Sequence, residues 1–296
     1  MTRLRFISAI SLNAAIVIGE LVFGFLSNSM SLLTDAFHNL SDVLSLSVAF
    51  IAFIYSSRKA TTVMTYGYIR SEMMAGFVHS IFLLLSMAFI IFEAVKRLFS
   101  PGIVNSSYMI GTAIAAFAVN FLSAMLFREG AHSHEGHDHE NMNIAASYLH
   151  LLSDAGLSIG VAIGGLLILF FHITIIDPIA SIVFSIFVLT GSVRIFKKTF
   201  LSLMDAGSEN MDEVIKKILT HHEIKSLHDI HIIEPSSKDR LFSAHLVLDK
   251  NLSLEKIETL LEDLRCELAD LGITHILFQP ETEKYHALDN LCQSHF

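Results

Sequence analysis

Cysteine is nearly absent from this chain of 296 residues: Cys266 and Cys292 are the only two, and neither belongs to a CxxC pair. That excludes a disulfide framework and a thiolate metal cluster, and it places the C-terminal part in a reducing compartment. Charge is also scarce, at 17% of residues against 52% apolar, with a mean hydropathy of +0.56. A soluble domain of this size carries more charge and less apolar surface, so an ordinary soluble protein is excluded. What charge there is lies unevenly. Residues 1–200 hold 11 Lys/Arg and 11 Asp/Glu, whereas the rest hold 9 and 18, so the net charge of −9 falls entirely in the last third. An acidic tail argues against nucleic acid as a partner and suits the attraction of cations.

The apolar body divides into runs long enough to cross a bilayer, which takes about 20 residues of helix. Six stretches qualify: Phe6–Phe25, Leu32–Tyr55, Met73–Val95, Met109–Phe127, Ile144–Phe171 and Ile179–Phe196. The first follows Arg3 and Arg5 in the manner of a signal peptide, but it is long, contains Glu20 and lacks a small-residue cleavage site, so it reads as a retained span. Nine Lys/Arg (Arg3, Arg5, Arg58, Lys59, Arg70, Arg128, Arg194, Lys197, Lys198) fall on one side and two, Lys96 and Arg97, on the other. The bias places both termini in the cytoplasm of a multi-pass protein of the cell membrane. Lys96 and Arg97 run against it and are read as snorkelling from a helix end.

After Asn210 the periodicity changes. Met211–His221 reads as a helix, Ile230–Ile233 and Phe242–Leu248 as strands around a turn at Pro235, Leu254–Leu271 as an amphipathic helix stopped by Gly272, and Ile273–Phe278 as a final strand. The expected fold is therefore an α-helical membrane protein: a six-span domain over 1–205, then a cytoplasmic α+β domain of ferredoxin-like type over 206–296. Between spans four and five, within 129–143, lie His132, His134, His137 and His139, a composition that binds metal loosely and is otherwise a solvated linker.

Ionisable residues inside the spans carry the functional signal. Span two holds Asp35, His38 and Asp42, and span five holds His150 and Asp154. Residues four apart share one helix face, so each span offers a His–Asp edge. The two segments share the pattern H-x-L-S-D at a separation of 112 residues, on helices that run in opposite directions, as in an inverted repeat around a midplane site. Each such group costs at least ~2.5–3.5 kcal/mol at the centre of a span. Four together, with no basic side chain near in sequence, call for a divalent counter-ion. Two imidazoles and two carboxylates make a neutral tetrahedral N/O set, which suits Zn²⁺ better than Mg²⁺ or Ca²⁺. Asp35, one turn before His38, either lines the ion's exit route or caps the helix. Asn13, Glu20, His79, Glu93 and Asn120 read as interhelical hydrogen-bond partners.

The chain here resembles the cation diffusion facilitators, in particular their zinc-transporting branch. The likeness rests on Ser31–Asp42, on Tyr66-Gly67-Tyr-Ile-Arg70-Ser-Glu72, on Tyr148–Asp154 and on Asp177-Pro178, and it covers nearly the whole chain. The resemblance implies a homodimer in the lipid bilayer that exchanges zinc for protons by alternating access, with His38, Asp42, His150 and Asp154 as transport site. The HD–HD form is similar to that of zinc-preferring members; Asp or Asn at position 38 goes with cadmium, iron or manganese. In the tail it implies a regulatory metal site at His228, His245, Gln279 and Glu281, with Gln279 standing where some relatives have His. Cys292 and His295 either supplement that site or belong to a frayed terminus. Met64 and Tyr68 occupy places that are often His, so no metal site is expected in the loop between spans two and three. It also implies an ion pair between Arg70 and Asp205 that locks helices together near the dimer axis. Two other classes fit an intramembrane metal set less well. A metalloenzyme needs an open metal position that four protein ligands do not leave, and a membrane metal sensor would signal through the tail without transport.

Overall fold

The computed structural model describes residues 3–56, 60–100, 102–131, 139–207, 211–249 and 251–283. Six long helices come first: α1 Arg3–Ser27, α2 Met30–Ser56, α3 Ser71–Phe99, α4 Ser106–Ala131, α5 His139–Phe171 and α6 Ile176–Leu203. The shortest has 25 residues, about 37 Å of helix at ~1.5 Å per residue, enough for a hydrocarbon core of about 30 Å. Among the described residues, Ser71–Phe99, Ser106–Met125, Tyr148–Phe171 and Ile176–Leu203 are long and apolar enough to span a membrane. With α1 and α2 they make the six helices of a membrane domain.

The C-terminal part follows in the order α7 Met211–Ile218, β1 Ile224–Ile233, β2 Leu241–Leu248, α8 Leu254–Asp270 and β3 His275–Thr282. Its sheet has the order β1-β2-β3, antiparallel between β1 and β2 and parallel between β2 and β3. The element order is that read from the sequence, but β1 starts earlier, at Ile224 rather than Ile230. Its alternation is broken by a bulge between His228 and His231, where Asp229 takes a φ of 50°. The alternation of β2 puts Phe242, Ala244, Leu246 and Leu248 on one face, where they meet Val214 and Ile218 of α7 and Leu260, Leu264 and Leu268 of α8. Gly272, at φ +82°, closes α8: its N–H reaches Ala269 O and the Ile273 N–H reaches Leu268 O, satisfying two terminal carbonyls.

By its internal contacts the chain forms two compact units, one of residues 1–48 and 78–196 and one of residues 49–77 and 197–296. In the first, α4 and α5 pack through small residues. A Cβ on Gly165 would lie 2.7 Å from Ile110 Cγ1, so any larger residue there would force Ile110 or the helices to shift. Leu32, Met109, Ala113, Val161, Ala162 and Ile168 form a core there. At the end of α3, Arg97 Nη1 donates to Asn28 O at 2.6 Å, covering the carbonyl that follows α1, while Lys96 pairs with Glu93 at 2.9 Å. Of the two cations on the sparse side, Lys96 is thus paired with a carboxylate and Arg97 with a backbone carbonyl.

Candidate metal centre

The N-terminus of α2 is held by a carboxylate from another helix. Asp177, fully buried at the start of α6, accepts from the Met30 N–H at 2.6 Å, from the Ser31 N–H at 3.0 Å, and from the Ser29 and Ser31 hydroxyls at 2.6 Å each. A helix N-terminus leaves its first N–H groups unpaired and carries partial positive charge, so a buried carboxylate is well placed there. The cap reading of Asp35 is therefore corrected. Asp35 lies inside α2 and accepts from Ser158 Oγ of α5 at 2.8 Å.

From that fixed start, eight and twelve residues along, come His38 and Asp42. Opposite them α5 presents His150 and Asp154, and the four groups close into a ring in which imidazole and carboxylate alternate. His38 Nε2 lies 3.4 Å from Asp154 Oδ1 and 3.7 Å from Asp42 Oδ2. His150 Nε2 lies 3.2 Å from Asp42 Oδ2 and 3.7 Å from Asp154 Oδ2. Donors about 2.0 Å from a tetrahedral zinc stand roughly 3.3 Å apart; His38, Asp42 and Asp154 bring ligand atoms within 4.8 Å of one another, and His150 stands beside both aspartates but outside that group of three. The contacts lack hydrogen-bond geometry, and Asp42 Oδ2 and Asp154 Oδ1 are buried with no donor among the described residues. Buried oxygens without donors are costly unless a cation fills the place. Asp154 is the most enclosed of the four, with 7% of its side chain exposed, and His150 the least, at 50%, so the ring is open on the His150 side.

The polar residues around the ring behave unequally. Glu20 accepts from Asn39 Nδ2 at 2.9 Å, joining α1 to α2, and His79 Nδ1 lies 3.1 Å from Ser41 Oγ, joining α3 to α2. Glu93 does not bridge helices, being paired with Lys96 on its own helix. Asn120 is buried and its Nδ2 has no partner among the described residues. His132, His134 and His137 lie outside the described residues, as do Cys292, His295 and the side chains of Asn13 and His139.

The second cluster is on the sheet face opposite the helices. His228 pairs in register with His245, and His245 with Gln279. Glu281 comes two residues further along β3 and is 4% exposed. His245 Nδ1 lies 2.8 Å from Glu281 Oε1 and His228 Nε2 lies 3.2 Å from Glu281 Oε2. Gln279 reaches the cluster from its edge, donating through Nε2 to Glu281 Oε1 at 2.9 Å. Asp229, which sequence reasoning missed, turns into the cluster at the bulge, with its Oδ2 3.5 Å from His245 Nε2. Among the described residues, His228 with His245 and Glu281, and His38 with Asp42 and Asp154, are the two groups of three whose ligand atoms all lie within 4.8 Å.

The expected Arg70–Asp205 pair is present within one chain: Arg70 Nη2 lies 2.5 Å from Asp205 Oδ1, with the side chains 40% and 48% exposed. Asp205 has φ +56°, and the Ala206 N–H returns to Leu201 O, so it is the left-handed residue that ends α6. Arg70 Nη1 also faces Leu203 O at 3.4 Å, so the guanidinium sits against the negative end of that helix.

Long apolar helices, of which α2 and α5 bring imidazoles and carboxylates together, followed by a small α+β domain, are the parts of a membrane transporter of metal cations. Residues 6–204 match the cation efflux transmembrane domain and residues 206–283 the cytoplasmic domain of cation efflux proteins. The chain is 38% identical over 279 residues, 93% of its own length and 87% of the relative's, to the cadmium, cobalt and zinc/H⁺-K⁺ antiporter of Bacillus velezensis. It is 30% identical over 292 residues to the zinc transporter ZitB of Escherichia coli, covering 96% of this chain and 89% of ZitB. It is likewise 30% identical over 276 residues to the metal cation efflux system protein CzcD of Cupriavidus metallidurans, covering 92% of this chain and 84% of CzcD. The chain belongs to the cation efflux family. It is a metal efflux transporter and not an enzyme.

Proposed function

We propose that this transporter exports Zn²⁺ from the cytoplasm in exchange for protons, with His38, Asp42, His150 and Asp154 as the transport site. The observation that carries the reading is the alternating ring between α2 and α5, in which each of two imidazole nitrogens lies 3.2–3.7 Å from a carboxylate oxygen of both aspartates. Two aspartates balance the charge of a divalent ion, and two imidazoles supply the borderline-soft nitrogen that zinc prefers. The same donors account for exchange. Metal and proton compete for the imidazole nitrogens and carboxylate oxygens, so proton binding on the far side releases the ion. The relatives named for zinc, and for zinc against protons, support the cargo and the counter-ion.

Alternating access would come from rocking of the helices around this ring, with the termini and the tail in the cytoplasm as the lysine and arginine bias places them. The transport domain would span 1–205 and the cytoplasmic domain 206–296, the latter joining two copies as a homodimer; its match to the family's cytoplasmic domain supports that role. His228, His245 and Glu281, with Gln279 at the edge, would take a regulatory metal ion, and His132–His139 would raise local zinc as an auxiliary loop. Zinc uptake by everted vesicles under an imposed pH gradient tests the reading. Uptake that follows the gradient and is lost in Asp42→Ala supports it. A wild-type protein that binds zinc without moving it would be a metal sensor instead.

A further inference from the structure

Beside the ring lies a second buried group of carboxylates that the metal does not use. Glu20 on α1 is wholly buried; its Oε2 accepts from Asn39 Nδ2 at 2.9 Å, and its Oε1 has no partner among the described residues. Asp35 on α2 is 2% exposed, with Oδ2 bound by Ser158 and Oδ1 unpartnered among the described residues. The two carboxyls lie within electrostatic reach of each other and of Asp154. No lysine or arginine occurs in α2, in 6–27 of α1, in 106–125 of α4 or in α5. The titratable groups facing the pair are Asp154 of α5 and His38 and Asp42 of α2, while α4 brings Tyr108 to the groove that Glu20 borders. Two carboxylates cannot both stay charged in such a place without a cation.

The donors decide which cation. Glu20, Asp35, Asn39 and Ser158 offer oxygens and an amide N–H but no imidazole and no thiolate, a poor set for zinc. We propose that Glu20, with Asp35, forms a second cation site, one that carries an exchanged proton beside the metal ring. Glu20 also borders a groove of about 510 Å³ between α1 and α4, lined by Ala15, Gly19, Tyr108, Gly111 and Ala116 and by none of the ring residues. When a divalent ion enters the ring its charge repels the proton held next door. The O–H bond of the Glu20 carboxyl breaks, the electron pair stays on the oxygen, and the proton passes to water. Departure of the metal leaves the ring anionic and draws a proton back. One exchanged proton is thereby held on a group that never touches the metal.

This inference rests on the zinc–proton exchange proposed above, and the test separates the two. Zinc binding to the purified full-length protein is measured by calorimetry in buffers of different ionisation enthalpy, which yields the protons released per zinc bound. Glu20→Gln, which preserves size and can still accept from Asn39, is expected to bind zinc at the ring while releasing about one proton fewer than wild type. Glu20→Asp is expected to recover the wild-type count. Zinc bound by Glu20→Gln with an unchanged proton count overturns the second site and leaves the ring intact as an assignment. Asp154→Ala that binds zinc and releases protons as wild type does overturns the ring itself. Infrared difference spectra of the wild-type protein give a reading that needs no variant to fold. Zinc should remove a protonated-carboxyl C=O band, and an unchanged band overturns the proposal.

Discussion

His150 Nε2 on α5 lies 3.2 Å from Asp42 Oδ2 on α2, a contact between two segments that each carry H-x-L-S-D 112 residues apart in the chain. Each imidazole therefore faces the carboxylate of its own helix and that of the opposite one. A site built this way is lost when either helix withdraws, which ties metal affinity to the arrangement of α2 and α5.

Asp154 is the most enclosed ligand, and its removal leaves one carboxylate against a divalent ion. Loss of outer-shell partners alone typically weakens metal sites roughly 10–100-fold, so Asp154→Ala is expected to weaken zinc binding by more than ~100-fold. Equilibrium dialysis with radioactive zinc on the purified protein measures this. Asp154→Asn, which keeps one oxygen but not the charge, should fall between the two.

His38→Asp exchanges one of two nitrogen donors for oxygen and adds a negative charge. Zinc should lose its advantage over cadmium, because the preference for a neutral N₂O₂ set is gone. Competition between the two ions in vesicle uptake is the check. An unchanged zinc-to-cadmium rate ratio would mean that the ring does not set selectivity.

Asp177→Ala leaves two N–H groups and two hydroxyls at the start of α2 without their buried acceptor. Each unsatisfied buried group costs about 1–3 kcal/mol, so the variant should melt several degrees lower and bind zinc more weakly although Asp177 touches no metal. Asp177→Asn keeps one acceptor oxygen and should recover part of both. A melting temperature and zinc affinity equal to wild type would show that α2 is positioned by something else.

The spans could be read from the sequence because runs of about 20 apolar residues have few other uses. The order of the tail elements could be read too, since α8 keeps a helical period and ends at Gly272. The start of β1 was missed because the bulge at Asp229 shifts its alternation, and with it the turn of Asp229 toward His245. The H-x-L-S-D repeat indicates which residues share each helix face, but not that the four close into an alternating ring. The cap on α2 was unreadable for a simpler reason: Asp177 lies 146 to 148 residues from the groups it satisfies.

The Arg70–Asp205 pair is more exposed than a buried interlock would be, and exposed pairs are typically worth ~0–1 kcal/mol. Because Asp205 adopts a left-handed backbone, alanine there would add strain unrelated to the pair. A cycle of Arg70→Gln and Asp205→Asn avoids that strain. Each single variant should slow zinc flux by less than about tenfold, and the double variant should be no slower than the worse single. Strictly additive effects on flux would mean the contact does not contribute.

The central claim is that metal passes through the ring against protons, and one measurement tests it most directly. Purified protein is placed in liposomes containing a zinc-sensitive dye, and a pH gradient is imposed with the interior acidic. Wild type should draw zinc inward while the interior becomes less acidic, in proportion to the zinc taken up, and His150→Ala should do neither. Zinc entry indifferent to the pH gradient, or entry through His150→Ala at the wild-type rate, would contradict the account.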